Sequence, residues 1–226
     1  MTTVVRARVP ADEFALSDTL SALPELEVET ERIVEGGENV VMPLLWTRNV
    51  DSEEFEACCE ADPTVDEVTL LGDFDDETLY RMHWIDHVDL LLQMLTNSNA
   101  TILDAFGHDE RWHLRMLYPS RTKLSETKSF CSAHNLTLTI DAIRELDGQP
   151  ASRYGLTKGQ YEALVRAAKG GYFDIPRETT LEDLSDELGV SHQALSERPR
   201  RGTGALVEDT LLIGVPDPHE PSQNTT

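Results

Sequence analysis

The sequence predicts an α+β protein: an N-terminal tandem ferredoxin-like domain with the order β-α-β-β-α-β repeated, then an all-α helix-turn-helix domain. Three observations support this prediction. Short β-branched segments alternate with segments of helical periodicity over residues 1–145. A stretch rich in Gly, Pro and Ser at 147–155 predicts a domain boundary. Beyond it, two short amphipathic segments flank Gly189, and an arginine cluster follows them.

The first ferredoxin-like half is predicted over residues 1–73. Its expected elements are a strand at 2–9, a helix at 11–23, a hairpin of strands at 26–34 and 39–48, a helix at 51–62 and a strand at 64–74. The first helix has apolar residues at helical spacing (Phe14, Leu16, Leu20 and Leu23) and ends before Pro24. Gly36-Gly37 provide the hairpin turn. Asp51 or Ser52 caps the second helix.

The second half is predicted over residues 76–146 by the same order of elements. These are a strand at 78–85, a helix at 87–97, a hairpin over 100–118 that turns at Gly107-His108-Asp109, a helix at 120–135 and a strand at 136–146. The two halves share no obvious sequence identity, so the repeat is inferred from the order of the elements alone.

The charge of the chain is strongly acidic and unevenly distributed. It has 42 Asp and Glu against 19 Lys and Arg, a net charge of −23. Such a surface repels nucleic acid in dilute buffer, but in molar salt the Debye length falls to about 3 Å. We therefore interpret the composition as halophilic. Residues 152–206 hold 8 acidic and 8 basic side chains, and this neutral block is where a DNA-binding surface is expected.

Several classes of protein are disfavoured by the sequence. Three cysteines form no secreted disulfide framework, the N-terminus lacks a signal-peptide pattern, and no segment approaches the roughly 20 apolar residues of a membrane span. We expect a cytoplasmic protein without a membrane partner. No phosphate-binding loop, nucleophile elbow or carboxylate pair is apparent, so we predict no enzyme activity and no cofactor. The histidines His83, His87, His108 and His113 are interpreted as surface or core residues rather than metal ligands.

The predicted helix-turn-helix domain spans 156–215, after a linker at 149–155, and a disordered tail is expected at 216–226. Thr157 and Gln160 make a capping box for its first helix, whose inner face is expected to carry Tyr161, Leu164, Val165 and Ala168. An aromatic strap follows at 172–177. Thr180 caps a second helix, and Gly189 supplies the positive φ of a tight turn. Val190 is then the buried turn residue, Ser191 caps the third helix, and Leu195 returns to the core.

The third helix has the composition of a DNA recognition helix. Short polar side chains near its N-terminus can contact base edges, and nearby arginines can bind phosphates. The candidate DNA-binding residues are Thr180, Ser191, His192, Gln193, Ser196, Glu197, Arg198, Arg200 and Arg201. The alternative interpretation is a plain helical hairpin with a solvated face.

The string "LTKGQYEALVRAAKGGYFDIPRETTLEDLSDELGVSHQALSERPRRG" at 156–202 resembles the helix-turn-helix of the bacterio-opsin activator (Bat-like) regulators of haloarchaea. The segment from "WHLRMLYPSRTKLSE" onward resembles, more weakly, the domain associated with that helix-turn-helix. The resemblance implies a cytoplasmic transcription regulator whose partner is double-stranded DNA. The sequence leaves open whether the N-terminal domain binds a small-molecule effector or serves as a platform for dimerisation or partner docking.

Pro199 departs from the family pattern, in which a leucine packs the end of the third helix onto the core. Proline in a helix interior costs roughly 3 kcal/mol because it lacks an amide hydrogen and clashes with the preceding turn. We therefore expect the third helix to end near Arg198, and residues 200–202 to form a turn. The apolar segment 203–215 is then expected to be an interface helix of a homodimer or to pack within its own domain. The alternative function is a protein-interaction adaptor whose degenerate helix-turn-helix no longer binds DNA.

Overall fold

The structure is a computed structural model that describes residues 1–37, 40–85 and 97–212. The chain divides into two compact units, one ending at Arg144 and one beginning at Glu145. The first unit contains strands β1 (Thr3–Pro10), β2 (Glu27–Gly37), β3 (Val40–Arg48), β4 (Val65–Asp73), β5 (Thr78–Trp84), β6 (Thr101–His108), β7 (Arg111–Tyr118) and β8 (Thr139–Glu145). Its described helices are a 3₁₀ turn (Ala11–Glu13), α1 (Ser17–Ala22), α2 (Ser52–Ala61) and α3 (Arg121–His134).

The eight strands form one sheet in the order β4-β5-β3-β2-β6-β7-β1-β8. A self-contained ferredoxin-like half would place β1 beside β3, and β5 beside β7. Instead, β1 pairs with β7 and β5 pairs with β3, both antiparallel. The two predicted halves are therefore not separate units of the sheet, because the first strand of each lies among the strands of the other. Strands β2 and β6 pair antiparallel, Val28 with Gly107 and Glu29 with Phe106.

Four local predictions differ from the structure or lie outside it. Helix α1 begins only at Ser17, because Leu16 has a left-handed φ of 58° that interrupts the helical path. The β6–β7 turn is formed by Asp109 and Glu110, both with positive φ, so that Gly107 and His108 belong to the strand. Gly36 and Gly37, predicted to form the turn of the β2–β3 hairpin, belong instead to strand β2, where Gly37 pairs with Val40. The helix predicted at 87–97 lies outside the described residues, apart from Asn97.

The core of the first unit lies between one face of the sheet and helices α1 to α3. Phe14, Trp84 and Trp112 form an aromatic group at its centre, with ring centroids 5.3–6.1 Å apart. The indole nitrogen of Trp112 donates a hydrogen bond of 2.7 Å to the carbonyl oxygen of Ala15. This bond satisfies a polar group that would otherwise be costly to bury.

The second unit contains four helices: α4 (Pro150–Arg153), α5 (Lys158–Lys169), α6 (Leu181–Leu188) and α7 (His192–Thr210). Helix α4 lies within the stretch predicted as a linker, and its Ala151 is buried. The buried residues of α5 are Ala163 and Ala167, while Ala168 is exposed, so the inner face is rotated from the predicted one. Small side chains on this face allow α7 to approach closely.

Helix α7 continues through Pro199 for 19 residues, so the prediction that it ends near Arg198 is wrong. Pro199 is itself buried. Because proline has no amide hydrogen, position 199 cannot donate to the carbonyl of Leu195, and this is the one backbone hydrogen bond that the helix loses. The next turn is anchored by packing, because Gly202 is buried against Leu164 and Gln160 of α5. This packing holds the second half of the helix against α5.

Candidate nucleic-acid interface

Helices α6 and α7 meet at a tight turn that the sequence specifies locally. Gly189 ends α6 with a φ of 62°, and the amide of Val190 donates to the carbonyl of Ser185 over 3.1 Å. The Ser191 side chain then accepts a 3.2 Å hydrogen bond from the amide of Ala194 and so caps α7. Val190 is half-buried against a core cluster that contains Leu184 and Leu195. The predicted turn and both caps are present.

The two helices are held at a fixed angle by contacts with α5. Ala163, Ala167, Leu184 and Leu195 form the buried centre of the unit. On the surface, Arg166 of α5 forms a 2.5 Å ion pair with Glu187 of α6. The candidate interface is therefore carried by a packed three-helix scaffold.

One face of α7 is exposed along the first two turns of the helix. Gln193, Ser196, Glu197 and Arg200 lie on the side opposite Leu195, at spacings of three and four residues. His192 is exposed beside them at the first turn. The polar groups that can contact base edges thus share one face, near the end of the helix that enters the major groove in helix-turn-helix proteins.

The three arginines of the cluster have different environments. Arg200 is exposed and has no carboxylate partner within the part of the chain that the structure describes. Arg201 forms a 3.4 Å ion pair with Glu197 one turn earlier, between side chains that are largely exposed to solvent. Such a surface pair contributes little to stability, so Arg201 can exchange it for another anion at small cost.

Arg198 is not on the exposed face. It is half-buried, and its guanidinium lies over the first turn of α5, where a side chain at Gly159 would come within 3.4 Å of it. The structure therefore separates Arg198 from Arg200 and Arg201. The sequence could not indicate this, because the position depends on where α5 crosses α7.

Thr180 and Ser191 cap the two helices of the motif, but only one of them keeps a free donor. The hydroxyl and the amide of Thr180 both donate to the Asp183 carboxylate, over 2.6 and 3.0 Å. These bonds lower the pKa of Asp183 and keep it ionised, so the first turn of α6 stays acidic. The Ser191 hydroxyl accepts a bond as cap and retains its own hydrogen for another acceptor.

Gly202 is a residue of this scaffold that the sequence analysis missed. A side chain there would come within 2.8 Å of the Leu164 Cδ1 atom and 3.3 Å of the Gln160 Cβ atom. Glycine within a helix lowers its stability, so a buried one indicates close packing of a neighbouring helix. The glycine at position 202 was therefore the feature of the sequence that could have indicated close packing here.

The aromatic strap before α6 is folded onto the end of α5. The carbonyl of Gly171 accepts hydrogen bonds from the amides of Asp174 and Glu178, and Arg177 lies 4.6 Å from the centre of the Tyr172 ring. Tyr172 packs against the core cluster, while Ile175 at the tip is fully exposed. The strap therefore sets the path of the chain into Thr180.

The other candidate residues do not assemble into a chemical site. Within the described ranges, no group of three or more His, Cys, Asp or Glu side chains could hold a metal ion. His83 lies 3.5 Å from Glu67, and His108 contacts the carbonyl of Leu26. Burial raises the pKa of the Cys59 and Cys131 thiols, which disfavours the reactive thiolate form. Among the described helices, none is both long and apolar enough to span a bilayer.

Comparison with known protein families matches nearly the whole chain. A family model described as "HTH DNA binding domain" matches residues 156–208, which include α5, α6 and most of α7. A family model described as "GAF and HTH_10 associated domain" matches residues 2–156, more than half of the chain. No curated protein gives a significant match. Both families are domains of DNA-binding regulators rather than of enzymes.

Proposed function

Because the chain belongs to the family of regulators that join the GAF and HTH_10 associated domain to an HTH DNA-binding domain, the Bat-like architecture, we propose that it regulates transcription by binding specific DNA sequences. The observation that carries this proposal is the exposed polar face at the start of α7, on a scaffold matched by a DNA-binding family. The protein then acts in the cytoplasm, where an archaeal chromosome lies.

The residues of the interface divide into two roles in this proposal. His192, Gln193, Ser196 and Glu197 contact base edges: Gln pairs with adenine and Glu accepts from the cytosine amino group, each worth about 1–3 kcal/mol of discrimination. Arg200 and Arg201 bind phosphates. Ser191 adds a phosphate contact through its free hydroxyl hydrogen. We assign Arg198 and Thr180 to support of the scaffold, since other groups of the unit already hold them.

We further propose a homodimer that binds two half-sites about one helical turn of DNA apart, since a single helix-turn-helix makes few base contacts. The end of α7 supports this proposal. Leu206 and Val207 are half-buried, while Leu211 and Leu212 beyond them are exposed by 70% and 46%. Apolar side chains this exposed at the end of a helix suit an interface between copies.

The net charge of −23 supports adaptation to high salt. In molar KCl the repulsion between carboxylates and phosphates is screened beyond about 3 Å, so short arginine contacts remain effective. Replacement of molar KCl by dilute buffer is expected to lower the midpoint of thermal unfolding. An unchanged midpoint would contradict the halophilic assignment.

We propose that the N-terminal domain at 1–148 is a sensor or oligomerisation domain built from two ferredoxin-like units, about 1–73 and 76–146, whose first strands have exchanged places. The strand order supports this origin. If β1 and β5 are exchanged, strands β1 to β4 lie together, strands β5 to β8 lie together, and the two groups have the same order when each is read inward from its edge of the sheet. The linker at 149–155 and the DNA-binding domain at 156–215 complete the proposed organisation, with a tail at 216–226.

DNA footprinting and genome-wide occupancy in molar KCl test the proposed function. We expect enriched sites that share a sequence. Gln193→Ala should relax the sequence preference at one position, and Arg200→Ala should weaken binding to all sequences alike. The matched control is Arg153→Ala, an exposed arginine of the same unit outside the interface.

Two results would overturn parts of the proposal. If both interface variants lower affinity without a change of preference, the assignment of the base-contacting face is wrong. If the native protein has no enriched sites, the alternative function holds, and the protein is an interaction adaptor with a degenerate helix-turn-helix. The acidic first turn of α6 and the proline in α7 are the features that favour this alternative.

A further inference from the structure

Two adjacent strands of the N-terminal sheet carry a row of basic side chains on one face. The residues of β1 and β7 alternate, and every second one is buried in the core beneath the helices. Apart from Val4, which is buried, the side chains on the opposite face are half-buried or exposed. We define the basic face as Arg6, Arg8, Arg111, His113 and Arg115. The surrounding sequence is acidic, since residues 1–151 hold 30 acidic and 11 basic side chains.

The strand register brings two arginines, Arg6 and Arg115, directly opposite each other. Arg6 faces Arg115, and Arg8 faces His113, in adjacent rows of the antiparallel pair. Directly opposite residues have Cβ atoms about 4.5–5.5 Å apart, and like charges in such positions destabilise the sheet. The arrangement therefore works against folding and needs another explanation.

Nearby carboxylates neutralise only part of this charge. Arg8 forms a 2.8 Å ion pair with Asp141, and Arg115 pairs with Asp104. Arg6 and Arg111 form no ion pair within the described ranges. Burial, followed by the charge of Arg8, lowers the pKa of His113, so its ring is neutral near pH 7 and can donate or accept a hydrogen bond.

The other half of the sheet provides an internal comparison. Strand β5 occupies there the place that β1 occupies here, and Arg81 takes the position of Arg6. Arg81 faces Leu44 of β3, where Arg6 faces Arg115. The same fold thus accommodates an apolar residue opposite the arginine. The second arginine is not a requirement of the architecture.

We infer that the basic face binds a small anionic ligand with two acidic groups, phosphate or carboxylate, whose oxygens accept hydrogen bonds from Arg6 and Arg111. These two arginines are four residues apart along the paired strands, about 13 Å by the rise of a strand, and their long side chains reduce the gap. Guanidinium groups suit such ligands because they donate two parallel bonds to one anion. The inference rests on the proposed sensor role and names the chemical class of the effector.

The experiment titrates the full-length protein with pyrophosphate and, separately, with citrate, by isothermal titration calorimetry in 1 M KCl and at lower salt. We expect at least one probe to bind and to raise the midpoint of thermal unfolding. Arg6→Ala and Arg111→Ala should each weaken that binding roughly tenfold or more, since a charged hydrogen-bond donor is lost. Arg81→Ala is the matched control and should leave the affinity within about twofold.

The two probes distinguish a phosphate from a carboxylate ligand. The inference is overturned if neither probe binds, or if Arg81→Ala weakens binding as much as Arg6→Ala. It is also overturned if Arg6→Ala weakens only the binding of duplex DNA, which would make the basic face a nucleic-acid contact. Footprinting of the native protein without anion tests the proposed function independently, so the failure of one proposal is distinguishable from the failure of the other.

Discussion

His113 is a partly buried imidazole in a basic environment, and its titration couples to folding. Burial lowers its pKa first; Arg8 lowers it further, Asp141 opposes this, and Arg111 and His108 add smaller decreases. The ordinary pKa of histidine is about 6.5. Since the pKa of His113 is lower in the folded state than in the unfolded state, the unfolded chain binds the proton more readily. The stability that the neutral His113 ring contributes is therefore lost as the pH falls below about 6.5.

We predict that the native protein loses stability between pH 7.5 and pH 5.5, and that His113→Gln reduces this loss. Urea unfolding of the full chain at constant KCl concentration measures both. His83→Gln is the control, because His83 is another half-buried histidine of the same sheet, on β5. Equal pH dependence in His113→Gln and the native protein would show that His113 is not coupled to folding.

At the scale of elements, α7 is held by close contact with α5 as well as by its own hydrogen bonds. Gly202 is buried at the crossing, whereas a side chain at Gly204 would have no atom within 4 Å. Both glycines lie inside the helix, where alanine is favoured by roughly 1 kcal/mol. A comparison of alanine substitutions at the two positions therefore separates the effect of helix propensity from the effect of packing.

We predict that Gly204→Ala raises the free energy of unfolding by up to about 1 kcal/mol, because only propensity changes. Gly202→Ala should be less stable than Gly204→Ala by about 1–2 kcal/mol, since its methyl group displaces Leu164 and crowds Gln160. Thermal and urea unfolding of the two variants measure the difference. If both variants raise the free energy of unfolding equally, the side chains of α5 move aside without an energetic cost, and the contact between α5 and α7 is not close-packed.

The proline of α7, Pro199, gives a second test of this helix. Pro199→Leu should raise the free energy of unfolding by about 1–3 kcal/mol, because the carbonyl of Leu195 regains its amide partner and a larger apolar side chain fills the buried position. It should leave the preferred DNA sequence unchanged, since the face that we propose to contact bases lies one to two turns earlier. Unfolding by urea and a binding-site selection measure the two effects.

Pro199→Ala is the matched control, since it restores the hydrogen bond without the added apolar volume. If the free energy of unfolding rises in both variants, the rise in Pro199→Ala measures the restored hydrogen bond. The further rise in Pro199→Leu measures the added apolar packing. A fall in both would show that the packing around α7 depends on the proline.

At the scale of the whole molecule, the acidic surface restricts how copies of the chain can associate. Repulsion between proteins of net charge −23 must be screened or offset by apolar contact. The exposed apolar side chains include Leu211 and Leu212 after α7 and Phe74 after β4. Strand β4 is an edge strand, but it carries Asp66, Glu67 and Asp73, which disfavour pairing with a second copy.

We therefore predict a dimer in molar KCl that depends on the end of α7. Light scattering without DNA should give twice the 25.3 kDa mass of the chain, and with DNA that mass plus the mass of the duplex. Leu211→Asp should shift the dimer to monomer, and Phe74→Asp should not. A native monomer under both conditions would contradict the prediction, and dissociation by Phe74→Asp would place the interface on the sheet.

The sequence by itself determined the features that depend on neighbours within one turn. The capping box of Thr157 and Gln160, the left-handed Gly189 and the Ser191 cap are all present in the structure, because each is an interaction over three or four residues. The alternation of β1 and β7 likewise puts Arg6 and Arg115 on the face opposite the core. Local chemistry is sufficient for such features.

Only the tertiary structure decided which strands are neighbours and how the helices cross. The pairing of β1 with β7 places Arg6 opposite Arg115, and these residues are far apart in sequence. The continuation of α7 through Pro199 depends on the contact of Gly202 with Leu164, and the position of Arg198 depends on Gly159. These outcomes depend on long-range packing, which can offset a local preference of a few kcal/mol and which no short window of sequence contains.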